Sequence, residues 1–210
     1  RLVGSEMCIR DREQAMEEMR RGLKPGAVVV GKVVRMEPFG AFVDIGRGIV
    51  ALLPTEYISA ARIRHPNERF RVGQKILAVV KVFDRENRRI TLTHKELLGT
   101  WAENAAHFSV GETVVGIVRS VEEYGTFIEI APNLAGLAES CTDLAPGQAV
   151  SVYIKNILPE KMKIKLIIVD AFDAPYAPQP VQYFLTEGVL RRWRYSPPEC
   201  SRVVETVFGE

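Results

Sequence analysis

The sequence is poor in cysteine and histidine and has no long apolar run. Its three cysteines, Cys8, Cys141 and Cys200, are odd in number and far apart, which does not fit a disulfide framework and suits a reducing cytosol. No stretch approaches the roughly eighteen apolar residues of a membrane-spanning helix. No charged and then apolar leader opens the chain. We therefore expect a cytoplasmic protein with no membrane partner.

Motifs that carry chemistry are also missing. There is no phosphate-cradling P-loop, no nucleophile elbow and no His-Glu pair at metalloprotease spacing. The three histidines and three cysteines share no metal-ligand spacing. We predict a protein that is not an enzyme, with no catalytic residue, no metal and no cofactor.

Positive charge is concentrated in one segment, although the net charge is only +2. Residues 24–95 contain 14 Lys and Arg against 6 Asp and Glu, whereas residues 108–170 contain 5 against 8. A basic segment inside a balanced chain indicates a polyanion partner for that segment. The alternative is ordinary charge for solubility.

The chain contains an internal repeat. At an offset of 85 residues, glycines and apolar residues of 26–45 recur in 111–130, and Phe39 and Phe42 meet Tyr124 and Phe127. Further on the offset falls to 74, so the second copy lacks 11 residues from its middle. In each copy, five short stretches alternate apolar and polar residues, which is typical of half-buried strands.

Five strands in about 70 residues, with the longest insertion after the third, predict a small closed barrel of the OB type. We therefore predict an all-β chain with appended helices and two tandem five-stranded OB-fold barrels. The predicted parts are a tail with a short amphipathic helix over 1–23, a first barrel over 24–95, a helical linker over 96–107, a second, degenerate barrel over 108–170, and a Pro-containing linker with a C-terminal hairpin or helix over 171–210.

The two ends are less regular than the barrels. The first dozen residues lack a starting Met and resemble translated adapter sequence, so no function is built on them. In the C-terminal part we expect a hairpin between 181–184 and 189–195, or a short helical pair, and then a helix over 201–208. Residues 191–195 interleave arginines with aromatics, which suits RNA binding, ribosome docking or covering of a barrel.

Several motifs of the first copy, taken together, resemble the S1 RNA-binding domain, which is named after the largest protein of the bacterial small ribosomal subunit. They are Pro25-Gly26, the run from Phe39 to Phe42, the run from Leu52 to Glu56, Val72-Gly73-Gln74, and Asp84 followed by the run from Arg89 to Leu92. The resemblance covers 24–95 well and 108–168 in part. It implies an OB barrel that presents two aromatics, a His, an Asp and an Arg to single-stranded RNA.

Carried over by position, this resemblance implies a set of binding residues. In the first copy the aromatics match Phe39 and Phe42, the His position holds Pro54, the Asp matches Asp84, and the Arg matches Arg89 with Arg88 as a close substitute. In the second copy the aromatics match Tyr124 and Phe127, the His position holds Glu139, the Asp position holds Leu158, and the Arg position holds Lys163. The second barrel thus keeps the aromatic pair but loses the Asp, and we expect it to bind RNA weakly or to serve as a spacer or protein contact.

The residues alone support a similar interface. If Ala41 and Val43 point into the barrel, alternation turns Phe42 outward near Phe39, and bases of any identity stack on such rings. The alternative is that the linker or tail covers the rings. Asp84 would accept from a base or a ribose, or orient Arg88 or Arg89. The further cations expected to contact phosphates are Lys32, Arg35, Lys81, Arg85, Arg88 and Arg89, together with a basic loop that contains Arg62, Arg64, His65, Arg69 and Arg71.

The expected function is non-catalytic binding of single-stranded RNA, either mRNA or rRNA, with low sequence specificity and dominated by the first barrel. Translation or mRNA handling is the expected setting, with the ribosome as a further candidate partner. The alternatives are a protein–protein adaptor and an accessory RNA-binding subunit of a ribonuclease complex.

Overall fold

The structure, a computed structural model, describes residues 3–173 and 180–209. Over these residues the strands form two closed five-stranded barrels and one two-stranded sheet. The predicted fold class, an all-β chain with two tandem OB-type barrels and appended helices, is confirmed.

The first barrel closes in the order β1-β2-β3-β5-β4, with β1 antiparallel to β4. Its interior is filled by the inward residues of the alternating strands, such as Val33, Val43 and Val80. The insertion after β3 contributes Ile58 and Phe70 to the same core, so part of this segment plugs the barrel. The bounds of its strands are β1 Val28–Glu37, β2 Gly40–Asp44, β3 Val50–Pro54, β4 Lys75–Asp84 and β5 Arg89–Thr93.

The second barrel repeats this topology with a shorter connection after its third strand. Its core includes Val118, Ile128, Val152 and Leu166, each from a different strand and each on the side of its strand that faces the interior. The last strand pairs with its neighbour as far as Phe172 opposite Ala149. The bounds are β6 Thr113–Glu122, β7 Gly125–Ala131, β8 Leu134–Ala138, β9 Ala149–Leu158 and β10 Lys163–Phe172.

Helical segments precede and join the barrels. Helix α1 covers Val3–Gly22, so it includes most of the first dozen residues. Met16 and Leu23 contact the core of the first barrel, as expected for an amphipathic helix. Glu18 accepts a hydrogen bond from Arg47 at 2.9 Å, which ties the helix to the loop after β2.

The linker between the barrels is two short helical pieces rather than one helix. A 3₁₀ turn over Lys95–Leu98 is followed by helix α2 over Trp101–Ala105. Gly99 separates them with a φ of +87°, a conformation that other residues rarely adopt. Thr100 then caps α2 by accepting from the backbone N–H of Glu103 at 3.2 Å.

The C-terminal extension forms a strap over the first barrel, and we use this term for residues 183–208. The predicted hairpin between 181–184 and 189–195 and the predicted helix over 201–208 are wrong, because Tyr183, Leu185, Leu190 and Phe208 pack together against the outside of the first barrel instead. The sheet that does form pairs β11 Arg192–Arg194 with β12 Glu205–Val207. Pro175 and Pro178, which mark the predicted linker, lie outside the described residues.

Candidate nucleic-acid interface

Two aromatic rings stand on the outer surface of the first barrel where β2 begins. Phe39 lies in the turn before β2 and is 58% exposed, and Phe42 is half-buried on the strand. Their ring centroids are 6.0 Å apart and their planes are perpendicular. Because Phe39 is open to solvent, the alternative in which the linker or the strap buries both rings does not hold. The pair presents ring faces on which bases can stack.

Backbone contacts fix the turn that carries Phe39. The Thr55 N–H donates to the carbonyl of Phe39 at 3.0 Å, and the Thr55 hydroxyl donates to the carbonyl of Pro38 at 2.8 Å. Gly40 lies between the two rings, where a Cβ would come within 2.6 Å of the Leu53 carbonyl oxygen. Gly40 is a recurring position of the internal repeat, but nothing in the sequence indicates that Thr55 holds this turn.

Side chains of neighbouring strands extend the aromatic pair into a row across the barrel. The Arg35 guanidinium lies over the Phe42 ring at 4.4 Å from its centroid, an attractive cation–π contact. In register, Phe42 pairs with Leu52, Leu52 with Thr91, and Thr91 with Val82. This order runs from β2 through β3 and β5 to β4.

The predicted phosphate-binding lysines lie in different surroundings. Lys32 is exposed on β1, opposite Asp44 on one side and Lys75 on the other. Lys81 occupies a β-bulge of β4 between Val80 and Val82 and is half-buried. Its ammonium group sits over the ring of Tyr57 at 3.4 Å from the centroid, a contact that sequence reasoning misses.

Asp84 organises the tight turn between β4 and β5. One carboxylate oxygen accepts from the backbone N–H groups of Glu86 and Asn87, both at 3.0 Å, and the other accepts from the Asn87 side chain at 2.7 Å. The N–H of Asn87 is the main cause that lowers the pKa of Asp84 below its usual value. Arg89 stands directly opposite Asp84 in the ladder, and Arg88 has a φ of +53°. Both arginines are exposed, so the turn holds two cations at the rim of the barrel.

The second barrel repeats the aromatic pair. Tyr124 is 72% exposed, Phe127 is half-buried, and their centroids are 6.0 Å apart with planes at 82°. Gly125 takes the place of Gly40, and its Cβ would lie 2.7 Å from the Ala138 carbonyl oxygen. The two copies of the repeat therefore give the pair nearly the same geometry.

The surroundings of the second pair differ from those of the first. Ser120 stands opposite Phe127 where Arg35 stands opposite Phe42, so the second ring lacks that guanidinium. Lys163 pairs with Leu158 in the ladder, as expected if these residues occupy the positions of Arg89 and Asp84 in the first barrel. Glu139 is exposed directly after β8. The second barrel thus offers rings with fewer cations beside them.

The basic loop contributes fewer free cations than its sequence indicates. Arg62, Arg64 and Arg71 are exposed or half-exposed, as a phosphate contact requires. Arg69 is 8% exposed and its guanidinium binds both carboxylate oxygens of Glu129 on β7, at 2.6 and 2.9 Å. The predicted phosphate contact is wrong for Arg69, because this side chain is buried between the barrels.

Arg69 belongs to a buried charge cluster that joins the two barrels. Arg119 on β6 also binds Glu129, at 2.7 Å from Nε to Oε2, and contacts Glu68 of the first barrel's insertion. Burial alone would raise the pKa of Glu129, but the hydrogen bonds and charges of Arg69 and Arg119 outweigh it and hold the pKa below its usual value. The hydroxyl of Ser59 accepts from Arg69 at 3.1 Å.

The aromatics of residues 191–195 belong to the strap rather than to an exposed site. Trp193 is buried, and the Tyr195 hydroxyl donates to the carbonyl of Asn133 in the second barrel at 2.6 Å. Arg192 pairs with Glu205 on the neighbouring strand at 2.6 Å. The aromatics of this segment therefore cover the barrels, while Arg191, Arg192 and Arg194 are exposed.

Over residues 3–173 and 180–209, no group of three or more His, Cys, Asp or Glu side chains is placed to hold a metal ion. In the same ranges no helix has the length and apolar character needed to cross a membrane.

The fold and the exposed rings define a class of protein. A closed five-stranded barrel with this strand order and an aromatic pair at the start of its second strand is a barrel of the OB type, a fold that binds oligonucleotides on the face of strands 2 and 3. Residues 23–95, which contain the whole first barrel, match the family described as "S1 RNA binding domain". The first barrel thus matches an S1-type domain, and the second barrel repeats its strand order.

Curated relatives extend the similarity beyond the first barrel. The chain is 31% identical over 182 residues to small ribosomal subunit protein bS1 of Staphylococcus aureus strain COL, which covers 80% of this chain and 46% of that protein. It is 31% identical to the bS1 homolog of Bacillus subtilis strain 168, covering 85% of this chain and 50% of the relative. For bS1 of Rickettsia conorii the identity is 32%, with 78% and 31% covered. The chain spans half or less of the length of these relatives.

Proposed function

We propose that this chain binds single-stranded RNA, without catalysing a reaction, chiefly through its first barrel. The observation that carries the proposal is the exposed Phe39–Phe42 pair with the Arg35 guanidinium over the Phe42 ring. Rings supply stacking surfaces and the guanidinium supplies positive charge, which are the two elements of single-strand binding. The match of residues 23–95 to the S1 RNA binding domain supports RNA as the ligand.

Low sequence specificity follows from the same geometry. A ring face stacks on every base, so Phe39 and Phe42 do not discriminate between bases. Asp84 is the carboxylate expected to accept a hydrogen bond from a base. Both of its oxygens, however, already accept hydrogen bonds within the turn between β4 and β5. Binding therefore depends mainly on stacking and on charge.

The first barrel is proposed to dominate because the cations lie beside its rings. Arg35 covers Phe42, whereas Ser120 stands at the corresponding place beside Phe127. Residues 24–95 carry 14 basic against 6 acidic residues, and residues 108–170 carry 5 against 8. A phosphate backbone is attracted to the first surface more than to the second.

The biological setting proposed is translation or mRNA handling in the cytoplasm, on mRNA or rRNA and near the ribosome. It is supported by the similarity to relatives named small ribosomal subunit protein bS1. Because the chain spans half or less of those proteins, the setting is proposed for this chain by analogy.

The test is fluorescence anisotropy of a labelled single-stranded RNA of about a dozen nucleotides across a salt series. Phe39→Leu removes the exposed ring but keeps apolar bulk, and we expect affinity to fall by about 5- to 150-fold, since stacking contributes about 1–3 kcal/mol per base. Phe39→Tyr keeps the ring and should bind within about threefold of the wild type, since its stacking surface is unchanged. Tyr124→Leu is the matched change in the second barrel and should have the smaller effect.

The outcomes separate the proposal from its rivals. Equal losses for Phe39→Leu and Tyr124→Leu would contradict the dominance of the first barrel. A folded wild type that binds no RNA at low salt would refute RNA binding and favour a protein–protein adaptor. Co-purification with a nuclease would instead favour an accessory RNA-binding subunit of a ribonuclease complex.

A further inference from the structure

A third aromatic ring, Tyr57, lies near the end of the row described above. It ends the 3₁₀ turn Thr55–Tyr57 after β3 and is half-buried. Two ammonium groups approach this single ring. The Nζ atom of Lys81 is 3.4 Å from its centroid, and the Nζ atom of Lys95 is 5.3 Å from it. The separation of the two Nζ atoms therefore cannot exceed the sum of their distances to the ring centroid.

This arrangement leaves positive charge without a neutralising carboxylate. Among the ion pairs between described residues, none includes Lys81 or Lys95. The neighbouring Glu56 is exposed and pairs with neither lysine in that set. The electron-rich ring face attracts each ammonium, but the two like charges repel each other at this separation. A bound anion would relieve that repulsion.

Hydrogen bonds to their backbone carbonyls hold two of the three residues, Tyr57 and Lys95, in place. The carbonyl of Tyr57 accepts from the His94 N–H at 2.9 Å, which fixes the turn against the end of β5. The carbonyl of Lys95 accepts from the Asn133 side chain of the second barrel at 2.7 Å. The lysines and the ring therefore lie beside the junction of the two barrels.

The row of side chains leads from the aromatic pair to this place. From Phe42 it passes through Leu52 and Thr91 to Val82, and Lys81 is the bulged residue beside Val82. A nucleic-acid strand that stacks on Phe39 and Phe42 and then crosses β3 and β5 next reaches the ammonium groups of Lys81 and Lys95.

We propose that Tyr57, Lys81 and Lys95 form a binding subsite for a backbone phosphate, at which a nucleic-acid strand leaves the first barrel toward the second. The inference rests on the proposed RNA binding and adds its path. The phosphodiester oxygens accept charge-assisted hydrogen bonds from the two ammonium groups, and the ring holds these groups in position. Tyr57 belongs to the insertion that the second copy lacks in part, and the residue at the 85-residue offset is Thr142.

The test measures RNA affinity against salt for the double variant Lys81→Gln/Lys95→Gln, with Lys24→Gln as the control. Lys24 is an exposed lysine of the first segment, and the cation–π contacts between described residues place Lys81 and Lys95, not Lys24, over the Tyr57 ring. Removing one phosphate from the binding site should change the log–log salt slope by about 0.7. We expect that change for the double variant, with a several-fold fall in affinity, and the wild-type slope for Lys24→Gln. Tyr57→Phe should keep the wild-type slope, and Tyr57→Leu should behave like the double variant.

Two results would overturn the subsite while leaving RNA binding intact. One is a wild-type slope and affinity for the double variant when Phe39→Leu still weakens binding. The other is an equal change of slope for Lys24→Gln, which would indicate a general effect of charge. Absence of RNA binding by the folded wild type would instead overturn the proposed function and the subsite together. Thermal melting by circular dichroism checks that each variant is folded.

Discussion

At the scale of single residues, the interface depends on a position with no side chain. Gly40 lies between Phe39 and Phe42, where β2 runs so close to β3 that a Cβ would come within 2.6 Å of the Leu53 carbonyl oxygen and 3.0 Å of Leu52 Cδ1. Contacts of that length force the backbone or the neighbours to shift. The separation of the two rings is thus set by the approach of the two strands.

We predict that Gly40→Ala destabilises the protein by about 1–3 kcal/mol, the usual range for overpacking, and weakens RNA binding as the rings move apart. Gly22→Ala is the control, since a Cβ there would meet no atom within 4 Å. Urea denaturation and RNA anisotropy measure the two effects. Unchanged stability and affinity for Gly40→Ala would show that the close approach plays no part in forming the interface.

The sequence predicts the rings well and their supports poorly. Phe39, Phe42, Tyr124 and Phe127 stand out because the repeat places aromatics at matching positions, and the structure gives both pairs the same centroid separation. Thr55 shows no such signal, because its role depends on the fold bringing it beside the turn before β2.

At the scale of elements, the strap is attached to the first barrel through a buried chain of hydrogen bonds. The Leu77 N–H donates to the Tyr183 hydroxyl at 3.1 Å, and that hydroxyl lies 3.1 Å from His94 Nε2. His94 Nδ1 is 2.7 Å from the carbonyl of Ile58, an acceptor, so this nitrogen carries the proton and Nε2 accepts from the tyrosine. The network requires a neutral imidazole.

Burial lowers the pKa of His94 from 6.5 to about 4. As the pH falls, His94 therefore takes up its proton at a higher pH in the unfolded chain than in the folded chain. The stabilisation that the neutral ring contributes is complete above about pH 6.5 and is lost as the pH falls toward 4. The lowered pKa corresponds to a loss of roughly 3 kcal/mol from the free energy of unfolding over that pH interval.

We predict that urea denaturation between pH 7 and pH 4.5 shows this loss in the wild type and a shallower dependence in His94→Gln. His107→Gln, which removes an exposed histidine, is the control and should keep the wild-type dependence. An identical pH dependence in the wild type and in His94→Gln would contradict the assignment of the effect to this buried ring.

The strap also shows why some elements cannot be predicted from local patterns. Its apolar residues have no helical or strand period of their own, because their partners are Val79 of the first barrel and Leu97 of the linker rather than neighbours in sequence. Tyr183 and His94 are 89 positions apart, and a local pattern carries no information about such a pairing. The barrel strands, by contrast, alternate within each strand, and that alternation is enough to predict them.

At the scale of the whole molecule, a buried charge cluster connects the two barrels. Glu129 of the second barrel holds Arg69 of the first and Arg119 of its own barrel, and both arginines are 8% exposed. Removing the carboxylate charge would leave two buried cations whose remaining ion pair, among the residues that the structure describes, is the one between Arg119 and Glu68. The cost of breaking a buried pair in this way is far larger than that of breaking an exposed one.

We predict that Glu129→Gln lowers the free energy of unfolding by about 3–5 kcal/mol. Glu18→Gln breaks the exposed pair with Arg47, whose side chains are 59% and 57% exposed, and should change stability by at most about 1 kcal/mol. Guanidinium denaturation followed by tryptophan fluorescence gives both values. Equal, small effects of the two substitutions would mean that the cluster does not hold the barrels together.

The distribution of charge along the sequence identifies the first barrel as the more basic one. It does not reveal that the partner of Arg69 is Glu129 rather than a phosphate. Counting charges shows how many cations a segment has, and it does not show which of them the fold uses internally. The contact partner of Arg69 lies 60 positions away in the other barrel. Long-range pairings of this kind appear only when the two barrels are seen side by side.

The strap sets an order of events during synthesis. Val28 on β1 and Leu77 and Val79 on β4 are covered by the strap, residues 183–208, which leaves the ribosome after the whole second barrel has been made. At about 5–20 residues per second, the first barrel waits on the order of ten seconds for its cover. In that interval Leu77 and Val79 face water, and the nascent first barrel relies on its interior core alone. The completed first barrel is therefore among the last parts of the described chain to reach its final form.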